Sequence, residues 1–256
     1  MARRINALLV AGGSNHDFDF VRRELLKRMA ENPAVHTTVS HDFSDLDALS
    51  SADFLVSYTC NIRPTATEEQ ALRRFVSEGG RWLALHATNA IVDLNADGVA
   101  TATTGWSSFF ELLGTKFIAH PAIRQFEVSA PEGVSHPLLA DIRNFRTNDE
   151  IYLVERTTDI DVLLETTYVG STTGVPDHWG DETPQPVLYI RRLGSGSIVY
   201  LTLGHASERR DIRPMVDDDV GALERCSWEV PEFLAIIERA FEWAWSVALG
   251  TPTEIG

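Results

Sequence analysis

Cysteine is scarce in this chain: two residues, Cys60 and Cys226, among 256. So few cannot build a disulfide framework at this length, and neither belongs to a CxxC pair or a zinc knuckle. Positive charge is also short. Lys and Arg total 22 against 37 Asp and Glu, a formal net charge of −15. Such a field repels a phosphate backbone, so no nucleic-acid partner is expected. Long apolar runs are missing, since nothing approaches the roughly 18 residues of a membrane span. The opening MARRINALLV carries basic residues, but its apolar run stops at Val10 and passes into Gly12 and Gly13. It reads as a first strand rather than a signal segment. The expected setting is a reducing cytoplasm, with no membrane partner.

Sequence marks of several common chemistries are absent too. The glycines of AGGSNH fit neither GxGxxG nor GxxxxGK[ST], which gives a nucleotide loop little support. No HxH or HExxH occurs. A nucleophile elbow needs Ser or Cys at its apex, and the best elbow-like segment, LALHATNA, carries His86 there. Cys60 lies one strand earlier without an adjacent histidine. Acyl transfer by Ser or Cys is therefore not supported.

Hydrophobic residues make up 44% of the chain and charged residues 23%, an ordinary globular balance with enough length for a sizeable core. Apolar patterning predicts strands over 6–10, 35–40, 54–58 and 81–85. Helices over 20–29 and 67–78 alternate with them, the second capped at Thr67. Residues 93–105 read as a long polar loop, and 107–113 as a short helix. Strands then dominate, over 126–129, 150–154 and 162–166, followed by a hairpin over 186–203 that turns at Gly194-Ser195-Gly196. A charged loop over 206–229 precedes a last helix over 231–248. The expected fold is α/β and flavodoxin-like, with a mostly parallel central sheet, helices on both faces, and extra strands in the second half. Without repeats or a linker, 1–256 reads as one domain.

Histidine is the informative residue type. Of eight histidines, three follow an apolar strand at a turn of small residues: His16 after NALLVAGGSN, His86 after RWLAL, His205 after SIVYLTLG. If those strands are parallel neighbours, the three imidazoles converge on one rim, where they can move protons or bind a metal. Each taken alone reads more readily as a loop-capping side chain; the three together point to a site. Asp149 and Glu150 precede a predicted strand and offer a carboxylate to the same rim, or a solvated pair. Asn15 can orient a substrate hydroxyl or simply satisfy its turn. His120 and His136 each precede proline; the first can line the pocket and the second marks a surface turn. His178 lies in a polar loop suited to a lid, while His36 and His41 read as surface residues. Trp106, Trp179 and Trp228 serve either as sugar platforms or as packing.

These segments also carry a resemblance. GGRWLALHATNA, HPAIRQFEVSAPEGVSHPLL, NDEIYLV, PVLYIRRLGSGSIVYLTLGH and SWEVPEFLAIIERAFEWAW resemble, in order, the trehalose-utilisation (ThuA-like) family over nearly the whole chain. The strongest pieces are LHA at His86, the strand with Asp149, Glu150 and Tyr152, and LGH at His205. The resemblance implies a fold like class I glutamine amidotransferases, with His86 where those enzymes carry cysteine. It also implies a small-molecule carbohydrate partner, a disaccharide or its 3-keto derivative.

The first expectation is an enzyme using His86, His205 and Glu150 for acid–base chemistry, with Asn15, His16, Asp149, Tyr152 and His120 binding substrate. A metal-assisted form places a divalent ion such as Zn on His16, His86 and His205, with Glu150 as a carboxylate ligand. The alternative is a non-catalytic carbohydrate-binding or regulatory protein on a decayed amidotransferase fold. A homo-oligomer is compatible with either.

Overall fold

The computed structural model describes residues 3–96, 100–172, 183–208 and 223–246. Its first half alternates β1 (Ile5–Gly13), α1 (Phe18–Met29), β2 (Val35–Ser40), α2 (Leu46–Ser51), β3 (Phe54–Cys60), α3 (Ala66–Ser77) and β4 (Arg81–Leu85). A small ribbon of β5 (Val92–Leu94) and β6 (Ala100–Ala102) follows, where a plain loop was expected, and then α4 (Ser107–Leu113) and β7 (Thr115–Ala119). The second half adds β8 (Arg124–Ser129), β9 (Asn144–Asp149), β10 (Leu153–Arg156), β11 (Asp161–Thr166), β12 (Gln185–Leu193), β13 (Gly196–Leu201) and α5 (Pro231–Ser246).

Local chemistry accounts for the helix starts. The Asp17 side chain accepts from the Phe20 N–H and opens α1. Thr65 and Glu68 form a reciprocal capping box at α3, so the cap lies two residues before the expected Thr67.

Nine strands form one sheet in the order β2-β1-β3-β4-β13-β12-β11-β8-β9. From β2 to β13 every neighbouring pair is parallel, and from β13 to β9 every pair is antiparallel. The sheet is thus mixed, which corrects the expectation of a mostly parallel one. Connection length is the physical reason: parallel neighbours need a crossover, whereas a tight turn can only join antiparallel strands. The turn between β12 and β13 is of that kind. Gly194 there has φ +60°, and a Cβ would meet the Ser77 carbonyl oxygen at 2.3 Å, so glycine is required.

Side chains alternate across the parallel strands and feed two cores. Leu9, Ala11, Val56 and Leu83 pack with α1 and α5 on one face, while Leu8, Val10, Leu55 and Trp82 pack with α2, α3 and α4 on the other. Every residue of β3 is buried, as expected of a central parallel strand covered on both faces. The strand expected over 150–154 is broken. β9 stops at Asp149, and the chain resumes as β10, which leaves the main sheet to pair with β7. No helix of the described residues is long and apolar enough to cross a membrane.

Leu83 is fully buried in β4 at the middle of the sheet. Leu83→Ala is expected to cost about 2–5 kcal/mol, read as a lowered urea midpoint with an unchanged far-UV spectrum.

Candidate active site

Strands β1, β4 and β13 are parallel, so their carboxyl ends open on one rim, and each is followed by one of the three histidines. Strand direction alternates through the antiparallel half, which returns β9 to the direction of β13. Its carboxyl end therefore brings Asp149 and Glu150 to the same rim.

His86 is the first residue beyond β4 and has φ +45°, a left-handed conformation that costs a side-chain-bearing residue roughly 1–3 kcal/mol. Its carbonyl accepts from the Tyr200 hydroxyl (2.8 Å), which in turn accepts from the Asn89 N–H (2.7 Å), so the turn is held from beneath. His86 Nδ1 lies 2.9 Å from the Thr202 carbonyl oxygen. A carbonyl only accepts, so Nδ1 carries the hydrogen and Nε2 the lone pair. The same logic applies to His16, whose Nδ1 donates to the Ser14 carbonyl at 3.1 Å. The two Nε2 atoms face each other at 3.0 Å, with the Tyr152 hydroxyl 3.2 Å from that of His86.

Glu150 lies among these rings. Its carboxylate oxygens are 3.5 Å from His86 Nε2, 3.2 Å from His205 Nδ1 and 3.5 Å from His120 Nδ1. The outer Nε2 of His205 lies 3.3 Å from Glu224. His16, His86, Glu150 and His205 are all buried, whereas the His120 side chain is 39% exposed. His16, His86, Glu150 and His205 each place one atom able to ligate a metal within 4.8 Å of the others.

Asp149 is fully buried, and its oxygens are taken up by backbone and hydroxyl donors. It accepts from the N–H groups of Glu150, Gly204, His205 and Ser227 and from the Ser227 hydroxyl. It anchors the loop bearing His205.

Burial, reinforced by the charge on His205, pushes His16 down to about 4, and burial together with His16 pushes His86 well below its ordinary value. Burial also acts on His205, but the Glu150 carboxylate, with Asp149 and Glu224, outweighs it and lifts the imidazole to about 9. For Glu150, burial opposes the charge, yet His120 and His205 hold its carboxyl well below the usual range. The ion-free cluster therefore carries two neutral imidazoles, one imidazolium and one carboxylate at neutral pH. Burial and Glu150 push the Cys60 thiol up to about 12, so no thiolate is available there.

The remaining candidates disperse. Asn15 is exposed with φ +67°, and its amide donates to the neighbouring Ser14 hydroxyl. His136 caps the turn over 137–139, and His41 lies 2.8 Å from Arg22. The Trp106 and Trp228 indoles donate to the Pro64 and Gly204 carbonyls. His178 and Trp179 fall outside the described residues, as does most of the charged loop expected over 206–229. Two neighbours have no mark in the sequence pattern. Tyr58 stacks on His86 with ring centroids 5.7 Å apart, and Glu224 arrives from a segment with no local periodicity.

A family model described as trehalose utilisation (ThuA) matches residues 6–213. The chain belongs to the ThuA family. That membership gives it a sugar-metabolism role at the level the family defines. No curated protein matches it. Among solved structures, a protein assigned as thua-like from Bacteroides uniformis superposes with a TM-score of 0.65 at 19% identity, covering 96% of this chain and 93% of that one. One from Parabacteroides merdae gives 0.63 at 19% identity, covering 99% and 93%. A protein assigned to GMP synthase from Thermoplasma acidophilum gives 0.51 at 12% identity, covering 95% and 97%. At these identities the similarity concerns the fold, and a glutamine amidotransferase-like fold is consistent with it.

The electrostatics predict a stability maximum in the chelator-treated protein. His16 contributes fully above about 6.5, and its contribution is lost as pH falls toward about 4, where the unfolded chain takes up a proton it refuses; His86, also pushed down by burial, acts in the same direction. The contribution of His205 is complete below about 6.5 and is lost as pH rises through about 9. Thermal melts across that range should fall away on both sides, and His205→Ala should flatten the alkaline side.

Proposed function

We propose that this ThuA-family protein is an enzyme that acts on a disaccharide or its keto derivative by proton transfer at the histidine rim. One observation carries the reading. His86 and His205 lie in the same buried cluster, 3.5 and 3.2 Å from the Glu150 carboxylate, with burial pushing the first imidazole down and the neighbouring carboxylates lifting the second. Environments that drive two titratable groups apart in this way assign the base and the acid.

A carbonyl at C3 of a sugar acidifies the adjacent C–H. His86 Nε2 takes that proton, the electron pair becomes the new C=C bond, and the glycosidic C–O bond breaks. His205 supplies the proton that the departing oxygen needs, and Glu150 holds the charge balance between them. Tyr152 and His120 border the same space and are assigned to substrate. The parallel strands support the architectural side of the reading, since β2-β1-β3-β4-β13 follows the two-one-three-four-five order of flavodoxin-like sheets. Ligands of such sheets bind beyond the strands' carboxyl ends, where this cluster lies.

Turnover of a 3-keto-disaccharide tests the reading. His86→Ala and His205→Ala should each slow it ~10²–10⁴-fold with the fold retained by circular dichroism, whereas Cys60→Ala should leave it nearly intact. The pH–rate profile should be a bell that declines on its alkaline side near 9, where His205 loses its proton. Full turnover by the His86→Ala/His205→Ala double variant would leave a carbohydrate-binding protein as the better description.

A further inference from the structure

We infer that His16, His86, His205 and Glu150 form a site for one divalent first-row transition ion, with Zn²⁺ as the probe of choice. The site is the one to which proton transfer was assigned, and the inference rests on that placement.

His16 and His86 supply the first argument. Both Nδ1 atoms are committed to backbone carbonyls, so two imidazole lone pairs confront each other at 3.0 Å. Lone pairs at that distance repel unless a cation or a proton lies between them. An ion about 2.1 Å from each nitrogen would hold the pair at about 90°, as adjacent ligands of a five- or six-coordinate ion, and about 0.4 Å closer than a tetrahedral pair.

His205 supplies an independent argument. It is 2% exposed, and its ring nitrogens approach two carboxylates outside hydrogen-bond geometry. A buried imidazole whose hydrogen bonds are not formed gains from a ligand on its inner nitrogen. Its Nδ1 faces Glu150, while Glu224 stands 3.3 Å from Nε2 on the outer side. All three rings therefore share one pattern. An acceptor (Ser14 O, Thr202 O or Glu224) faces the outer nitrogen, and the inner nitrogen points at the cluster. Outer acceptors of this type orient metal-bound imidazoles.

Three imidazole nitrogens and one carboxylate oxygen select zinc, manganese, iron or cobalt over calcium and magnesium, which take oxygen ligands. Held by His16, His86, His205 and Glu150, such an ion would supply Lewis-acid polarisation of a sugar oxygen. In an ion-bound form the Nε2 lone pair of His86 would go to the metal, so the base role assigned above belongs to the ion-free form.

Chelator-stripped protein titrated with Zn²⁺ by calorimetry, and with Co²⁺ by visible absorption, tests this. One ion per chain is expected. Binding should weaken ~10-fold or more in His16→Ala, His205→Asn and Glu150→Gln, and stay unchanged in Cys60→Ala and His136→Ala. Absence of binding by the unmodified protein, which needs no variant to fold, overturns the inference. So does binding that the three ligand variants leave intact. Turnover of a 3-keto-disaccharide, measured on the same samples, separates the two readings. Turnover by protein that binds no ion removes the metal and leaves the enzyme; a bound ion without turnover removes the enzyme and leaves the metal site.

Discussion

A single buried carboxylate ties the rim together. Asp149 has no solvent contact, and its two oxygens collect donors from three separate stretches: its own neighbour Glu150, the Gly204–His205 loop, and Ser227. Burial raises its pKa, while the Ser227 hydroxyl and the Gly204 N–H work in the other direction. A buried charge is tolerated only when its lone pairs are satisfied, so the three stretches must arrive together or the carboxylate is left exposed to an apolar interior. That requirement places His205 beside Glu150. It also draws in the segment that carries Glu224, which Arg225 fastens further by its 2.8 Å pair with Asp17 at the start of α1.

The division of the sheet into two halves has a functional consequence. The parallel half supplies His16 and His86 by repeating one local design: a buried strand ending in a tight turn whose residue is pressed into left-handed backbone, Asn15 in one case and His86 in the other. The antiparallel half supplies Glu150, because alternation returns β9 to the common direction. β9 then breaks off at Asp149, and that break leaves Glu150 outside both strands, beside the imidazoles. Beneath, the aromatic residues keep the cluster dry. Tyr58 stacks on His86 and its hydroxyl is spent on the Gly204 carbonyl, and Tyr200 braces the turn. Low local dielectric then amplifies every charge in the cluster, which is why neighbouring imidazoles shift in opposite directions.

Much of this was legible in the residues themselves. The helical stripe of Val21, Leu25 and Met29, the all-buried run of β3, the short helix α4 and the glycine turn between β12 and β13 follow from period, capping and steric demand, which act over a few residues. The candidates His16, His86 and His205 were recognisable because each follows a strand, and strand ends are where α/β sheets bind. Tertiary structure alone decided the rest. Whether a strand runs parallel or antiparallel depends on its partner, so the mixed sheet could not be read from alternation. The break after Asp149 depends on donors contributed by Gly204, His205 and Ser227, residues more than fifty positions away. Glu224 reaches His205 through that same convergence. The charge states of the imidazoles follow burial and distance, and neither quantity exists until the chain has closed on itself.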